Sequence, residues 1–262
     1  MRAFVLTDIE GVAGVDSFDR TRTTDEALKG PAMDQLAREV QACVEGIRSV
    51  HPNARCTVWD GHGSGGLREE DVAAVEGARY VSAGQPYWDL DGYDAVYFVG
   101  QHAMAGTAFA PLAHTYSSRH VAYYRLNRFF VGEFGARALV AGQQGVPTVC
   151  LAGDDKAARE AENVVPDIET AVVKEGTGLE SADHLASDAA CERVREVAAR
   201  ATRRVDDVAP FDRIEPPYSL EIRYVDPHDD EDLPDRIDRS LVTRIDARTV
   251  RIESGDLADM PF

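Results

Sequence analysis

Lysine is almost missing from this chain. Three lysines, Lys29, Lys156 and Lys174, stand beside 25 arginines, and these 28 bases face 27 aspartates and 19 glutamates. The formal charge of −18 and a pI near 4.7 repel phosphate backbones and anionic lipid, which excludes nucleic-acid and membrane-surface binding through a basic face. An acid-rich, lysine-poor surface predicts a salt-rich cytoplasm, where ionic strength screens self-repulsion. A GC-rich genome accounts for arginine in place of lysine but not for the acids. Long hydrophobic runs are missing as well. The longest, such as Ala95 to Gly100, fall far short of the roughly 18–20 residues that span a bilayer. Met1-Arg2-Ala3-Phe4-Val5 runs straight into a strand pattern, so no signal peptide or anchor is predicted and the cytoplasm is expected. The four cysteines, Cys43, Cys56, Cys150 and Cys191, show no CxxC spacing and read as buried free thiols rather than a disulfide framework.

With 262 residues, 44% of them apolar, the chain suits one large domain or one domain with a small appendage. Ala3 to Thr7 reads as a buried strand, and Thr23-x-x-Glu26 as a capping box opening a long amphipathic helix to about Val50. A strand at Arg55 to Trp59, a short helix at Glu69 to Val75, a weak strand at Arg79 to Ser82 and a clear one at Asp94 to Val99 follow. This alternation predicts an α/β fold with a central, mostly parallel sheet flanked by helices. Val121 to Arg125 and Phe129 to Glu133 look like an inserted hairpin before a helix at Phe134 to Gln144. Then come a strand at Pro147 to Gly153, a helix from Asp154 or Asp155, a strand at Ile168 to Lys174 and a long helix from about His184 to Arg204. Residues 205–262 carry 16 acids and 7 arginines, half of the net charge. Tyr218, Leu220, Ile222 and Tyr224 alternate there with polar residues, Asp226 to Asp238 reads as an exposed loop, and Leu241 to Ile252 as one or two strands. The expected division is therefore a catalytic α/β domain at 1–204 and a β-rich acidic region at 205–262 packed on or beside it.

In an α/β sheet, ligands collect beyond the carboxyl ends of the strands. Asp8 and Glu10 follow the first strand, Asp60 and His62 the second, His102 the fourth, and Glu133 ends the hairpin. Two carboxylates on one strand end repel each other unless a cation sits between them. Adding His62, His102 and Glu133 gives a nitrogen and oxygen donor set suited to Zn²⁺ and open to Mn²⁺ or Co²⁺. Five candidates exceed the needs of one catalytic zinc, which points to two metals sharing a carboxylate. His114 is uncommitted: a general acid/base, a hydrogen-bond donor to an oxyanion, or a satisfied core histidine. His51, His120, His184 and His228 read as surface or satisfied residues. Gly61-x-Gly63-x-x-Gly66 matches a dinucleotide fingerprint in form only. It follows the second strand, holds a histidine in the turn and lacks the acid some twenty residues on. No G-x-S-x-G elbow occurs, so metal-activated water is the expected nucleophile.

Thr7-Asp8-Ile9-Glu10-Gly11-Val12-Ala13-Gly14, Asp60-Gly61-His62, Gly100-Gln101-His102-Ala103, Ala113-His114-Thr115, Asn127-x-x-x-x-Gly132-Glu133-Phe134-Gly135 and Leu151-Ala152-Gly153-Asp154-Asp155 together resemble the zinc-dependent D-aminopeptidase family. Order and spacing fit from Met1 to about Lys174, and the match fades beyond Thr177. The resemblance implies that Asp8, Glu10, His62, His102 and Glu133 bind two zinc ions and that His114 is the catalytic histidine. It also implies hydrolysis of short peptides from the amino end, D-alanine peptides among them. The implied assembly is a self-compartmentalising ring, a decamer of two stacked five-membered rings. The same metal site is compatible with an amidohydrolase acting on another small amide, or with a non-catalytic metal-binding oligomer.

Overall fold

The computed structural model describes residues 1–228 and 233–262. Part of the acidic stretch expected as an exposed loop, residues 229–232, lies outside the described residues. Strands β1 (Arg2–Thr7), β2 (Arg55–Asp60), β3 (Ala78–Val81), β4 (Ala95–Gln101), β7 (Thr148–Asp154), β8 (Glu169–Gly178) and β9 (Ser181–His184) form a seven-stranded sheet in the order β3-β2-β1-β4-β7-β8-β9. Every pairing is parallel except that of β9 with β8. The central strands β1, β4 and β7 are buried almost end to end, as expected where helices cover a parallel sheet.

Helices α1 (Glu26–Val50) and α5 (Ser187–Arg203) pack on each other, α1 against β4 and α5 against β7 and β8. The short helix α2 (Glu69–Ala73) leads into β3. Helices α3 (Glu133–Gln143) and α4 (Asp155–Val164) pack together and against β7, with α3 also on β4 and α4 on β8. Asp154, at the end of β7, caps α4 by accepting from the backbone N–H groups of Lys156 and Ala157.

A second, antiparallel sheet has the order β11-β12-β10-β5-β6, from β5 (Val121–Leu126), β6 (Phe129–Val131), β10 (Tyr218–Tyr224), β11 (Val242–Asp246) and β12 (Thr249–Ser254). The hairpin and the C-terminal strands thus share one sheet, joined where β10 pairs with β5. Tyr218, Leu220, Ile222 and Tyr224 are buried, as their alternation predicts. All four cysteines are free and buried. Among the described residues, no helix is long and apolar enough to cross a membrane.

Several local expectations are corrected. The cap of α1 is Asp25, whose side chain accepts from the N–H of Ala27, while Thr23 accepts from the N–H of Asp25 one step earlier. His184 ends β9 instead of opening α5. Glu133 is the first residue of α3 and not the last of the hairpin.

Candidate metal centre

The strand order places β1 between β2 and β4, so the chain leaves β1 and β4 beside each other. This crevice is tight. The N–H of Gly11 donates to the carbonyl of Gly100 at 2.7 Å, and that of Asp8 to the carbonyl of Val99 at 2.9 Å. Gly100 has φ +77, and a Cβ built there would lie 1.9 Å from the Asp8 carbonyl oxygen, so only glycine permits this approach.

All six residues expected at the site come together. His62, Glu10 and Asp8 form one group and His102, His114 and Glu133 a second, with the donor atoms of each group within 4.8 Å of one another. His102 Nε2 lies 3.3 Å from Asp8 and 3.6 Å from Glu133, His62 Nε2 lies 3.3 Å from Glu10, and His114 Nε2 lies 3.7 Å from Glu133. The His102 and His114 rings stack at 3.9 Å. Both point Nδ1 at a backbone carbonyl 2.9 Å away, Ala103 for His102 and Leu112 for His114. A carbonyl only accepts, so each Nδ1 carries the proton and each Nε2 turns a lone pair toward the carboxylates. His62 Nδ1 lies 3.3 Å from the Gly65 carbonyl and 3.3 Å from the Lys29 ammonium.

Inward lone pairs facing inward carboxylates need either protons or a cation between them. Glu10 Oε2 and His102 Nε2 are buried without a hydrogen-bond partner. Burial, and then the charge of Glu10, push the Asp8 carboxyl up to about 6. Burial opposes charge on Glu10 and on His102, yet His62 holds Glu10 well below its ordinary value, and Asp8 with Glu133 raises His102 well above. Burial, then the His102 charge, lower His114 to about 4. These opposed shifts describe anions competing for too few protons. The donor set of imidazole nitrogens and carboxylate oxygens fits zinc-like divalent cations.

Other residues frame the site. Arg137, one turn along α3 from Glu133 and buried, forms an ion pair with Glu133 at 3.0 Å and lies over the rings of Trp59, Tyr87 and Tyr116. Burial opposes ionisation of Glu133, and the Arg137 guanidinium outweighs it, holding that carboxyl below its usual range. Buried Lys174 on β8 donates to the Glu10 and Val15 carbonyls. Buried Lys29 on α1 donates to Ser64 Oγ at 2.7 Å. Strand ends do not reveal these three. Lysine scarcity does carry a signal: two of the three lysines are interior and hold the segments that bear Glu10 and His62.

Asp60 turns away from the cluster and accepts from the N–H groups of Gly66 and Leu67. The glycine loop therefore wraps a carboxylate of its own chain and not a nucleotide phosphate. His184 is satisfied, accepting from the Gly14 N–H at 2.9 Å. A cavity of about 460 Å³ is lined by Asp8, Glu10, His62, His114 and Glu133. A larger one of about 1070 Å³ shares His62, Tyr116 and Arg137 with it.

Over residues 1–261 the sequence matches the family described as D-aminopeptidase. The chain belongs to the D-aminopeptidase family. The match runs well past Lys174, so the fading expected beyond Thr177 is corrected. A D-aminopeptidase of Bacillus subtilis (strain 168) is 28% identical over 226 residues, 80% of this chain and 77% of that protein. The solved structure of the Zn-dependent D-aminopeptidase DppA from Bacillus subtilis, described as a self-compartmentalizing protease, superposes with a TM-score of 0.81 at 24% identity, over 99% of this chain and 93% of that one. The fold of this D-aminopeptidase family member is therefore that of DppA.

Proposed function

We propose that the chain is a zinc-dependent aminopeptidase that removes the N-terminal residue of short peptides, D-alanine peptides among them. The observation that carries this reading is the convergence of three imidazoles and three carboxylates, of which Asp8, Glu10, His62, His114 and Glu133 line one open cavity and His102 lies buried behind it. Asp8, Glu10, His62, His102 and Glu133 would hold two zinc ions, leaving His114 as the catalytic histidine. When bound, such ions lower the pKa of a water toward about 7 and polarise a scissile carbonyl.

The chain's own residues do the rest. His114, anchored through Nδ1 to the Leu112 carbonyl and held neutral by burial, keeps its Nε2 lone pair free to take a proton and return it to the leaving amine. Arg137 keeps Glu133 ionised, and Lys174 pins the Glu10 carbonyl. The walls of Tyr116, Ser117 and Ser118 restrict water and orient the peptide.

The reading extends to assembly into a closed ring, a decamer by resemblance, which the self-compartmentalizing character of DppA supports. Phe129 and Phe130 on the edge strand β6, 59% and 56% exposed, form an apolar patch that a neighbouring copy could cover. Light scattering in high salt measures the assembly.

Elemental analysis of protein purified in high salt without chelator, beside release of D-alanine from D-Ala-D-Ala, tests the function. About two zinc per chain with turnover is expected. Absence of both after zinc addition overturns the proposal. E10A and H62A should lose metal and activity together; full zinc occupancy in both rejects their assignment as ligands. H114A should keep its zinc while kcat falls on the order of 10²- to 10⁴-fold.

A further inference from the structure

The cavity that holds the acidic cluster also presents two arginines with no carboxylate partner. Arg22 and Arg119 line it together with Asp8, Glu10, His62, His114 and Glu133. Other arginines close ion pairs with acids, as in Arg38 with Asp188, Arg48 with Glu76, Arg68 with Glu26 and Asp34, and Arg195 with Glu45. Arg22 and Arg119 make no ion pair among the described residues. Two guanidinium groups without an ion pair thus line the cavity that also holds the carboxylates.

Arg22 is held in place. Its Nη2 donates to the Ser118 carbonyl at 3.0 Å, its guanidinium lies 3.3 Å from the centroid of the Phe18 ring, and its Nε is buried without a partner. Phe18 in turn meets His114 edge-on at 6.2 Å, so the arginine is anchored on a ring that touches the site. Ser118, which fixes Arg22, immediately precedes exposed Arg119. The two cations are close enough that, after burial, the charge of Arg119 is the next influence lowering the Arg22 pKa. Glu10, Glu180 and Asp19 act on Arg22 from a distance and none closes an ion pair with it, so its guanidinium face stays open to an anion that enters the cavity. The planar guanidinium fork matches a carboxylate.

We propose that Arg22 and Arg119 receive the C-terminal carboxylate of the peptide whose amino end lies at the acidic cluster, so that the enzyme selects short peptides with both termini free. This rests on the aminopeptidase reading and narrows its substrate class. Because both charge patches line one cavity of about 460 Å³, within the roughly 300–1,000 Å³ of small-molecule pockets, the two ends of the substrate are few residues apart.

The test compares D-Ala-D-Ala with its C-terminal amide on the zinc-loaded enzyme. The wild type should favour the free acid in kcat/KM on the order of tenfold to a hundredfold, the range of a lost charge-assisted contact. R22Q/R119Q should erase that preference by raising KM for the acid, so that acid and amide are hydrolysed with equal kcat/KM. R22K, which keeps the charge, should retain part of it. Arg119 is exposed, so R119Q leaves the fold intact and by itself should raise KM for the acid alone. Equal hydrolysis of acid and amide by the wild type, or an undiminished preference in the double variant, overturns the clamp and leaves the aminopeptidase standing. Turnover of neither peptide removes both.

Discussion

Glu39 sits wholly buried in α1, one carboxylate oxygen accepting from the Ala13 N–H and from the Gln35 amide, the other without a partner. Burial pushes its carboxyl up to about 7 from an ordinary 4.5, against the lowering by its hydrogen bonds and by Lys174. The unfolded chain releases this proton near 4.5 and the fold keeps it until about 7. Between those values the folded state binds more protons, so Glu39 lowers stability as pH rises through the window and leaves it unpenalised below. At about 1.4 kcal/mol per unit the whole effect is roughly 3 kcal/mol. E39Q, which cannot ionise, should gain stability relative to wild type by about that amount between pH 4.5 and 7.5 in urea unfolding. A pH-independent difference between the two proteins counts against this placement of the proton. Neither Glu39 nor its partners could be read from sequence, because nothing in the helical spacing distinguishes this acid from the solvated acids of α1. Asp8, Glu10, His62 and His102 were legible for the opposite reason: strand ends in an α/β sheet have a known address.

At the scale of elements, close packing overrides propensity at particular positions. In α1 a Cβ on Gly46 would lie 2.4 Å from the Arg195 carbonyl of α5, whereas one on Gly30 would first meet the Arg68 guanidinium at 3.4 Å, an ordinary van der Waals contact. Alanine is favoured over glycine in a helix by roughly 0.5–1 kcal/mol. G30A should therefore stabilise by about that much, and G46A should destabilise by roughly 1–3 kcal/mol as the helices are forced apart. Denaturant midpoints of both variants decide it, and stabilisation by G46A removes the close α1 and α5 contact. Elements with a strong period, α1 and the buried β1, β4 and β7, could be read almost to their ends. Strand β9 could not, since Ser181-Ala182-Asp183-His184 offers no apolar alternation and is held by pairing with β8 and by the contacts of His184 with Gly14 and Asp16. The hairpin β5 and β6 was visible as a local object. Its partner was not, because the pairing of Leu220 with Leu126 spans a long stretch of chain and leaves no local trace.

For the whole molecule the governing quantity is the charge of −18. Salt acts on it in two directions, screening repulsion among the acids and weakening pairs such as Arg38 with Asp188 and Arg223 with Asp246. Exposed pairs contribute only about 0–1 kcal/mol each, whereas repulsion sums over every uncompensated acid. Repulsion therefore wins, and the thermal midpoint should rise as the screening length falls from about 10 Å at 0.1 M to about 3 Å at 1 M salt. Calorimetry in potassium chloride measures the rise. Asp206, Asp212 and Glu253 are exposed and outside the site, which makes them a direct probe. The triple variant D206N, D212N, E253Q should melt a few degrees above wild type in low salt, each kcal/mol moving the midpoint by about 2–4 °C. The advantage should vanish in high salt, where the removed charges were already screened. An advantage that persists at 1 M salt would assign the gain to local contacts of those side chains and reject self-repulsion as its source.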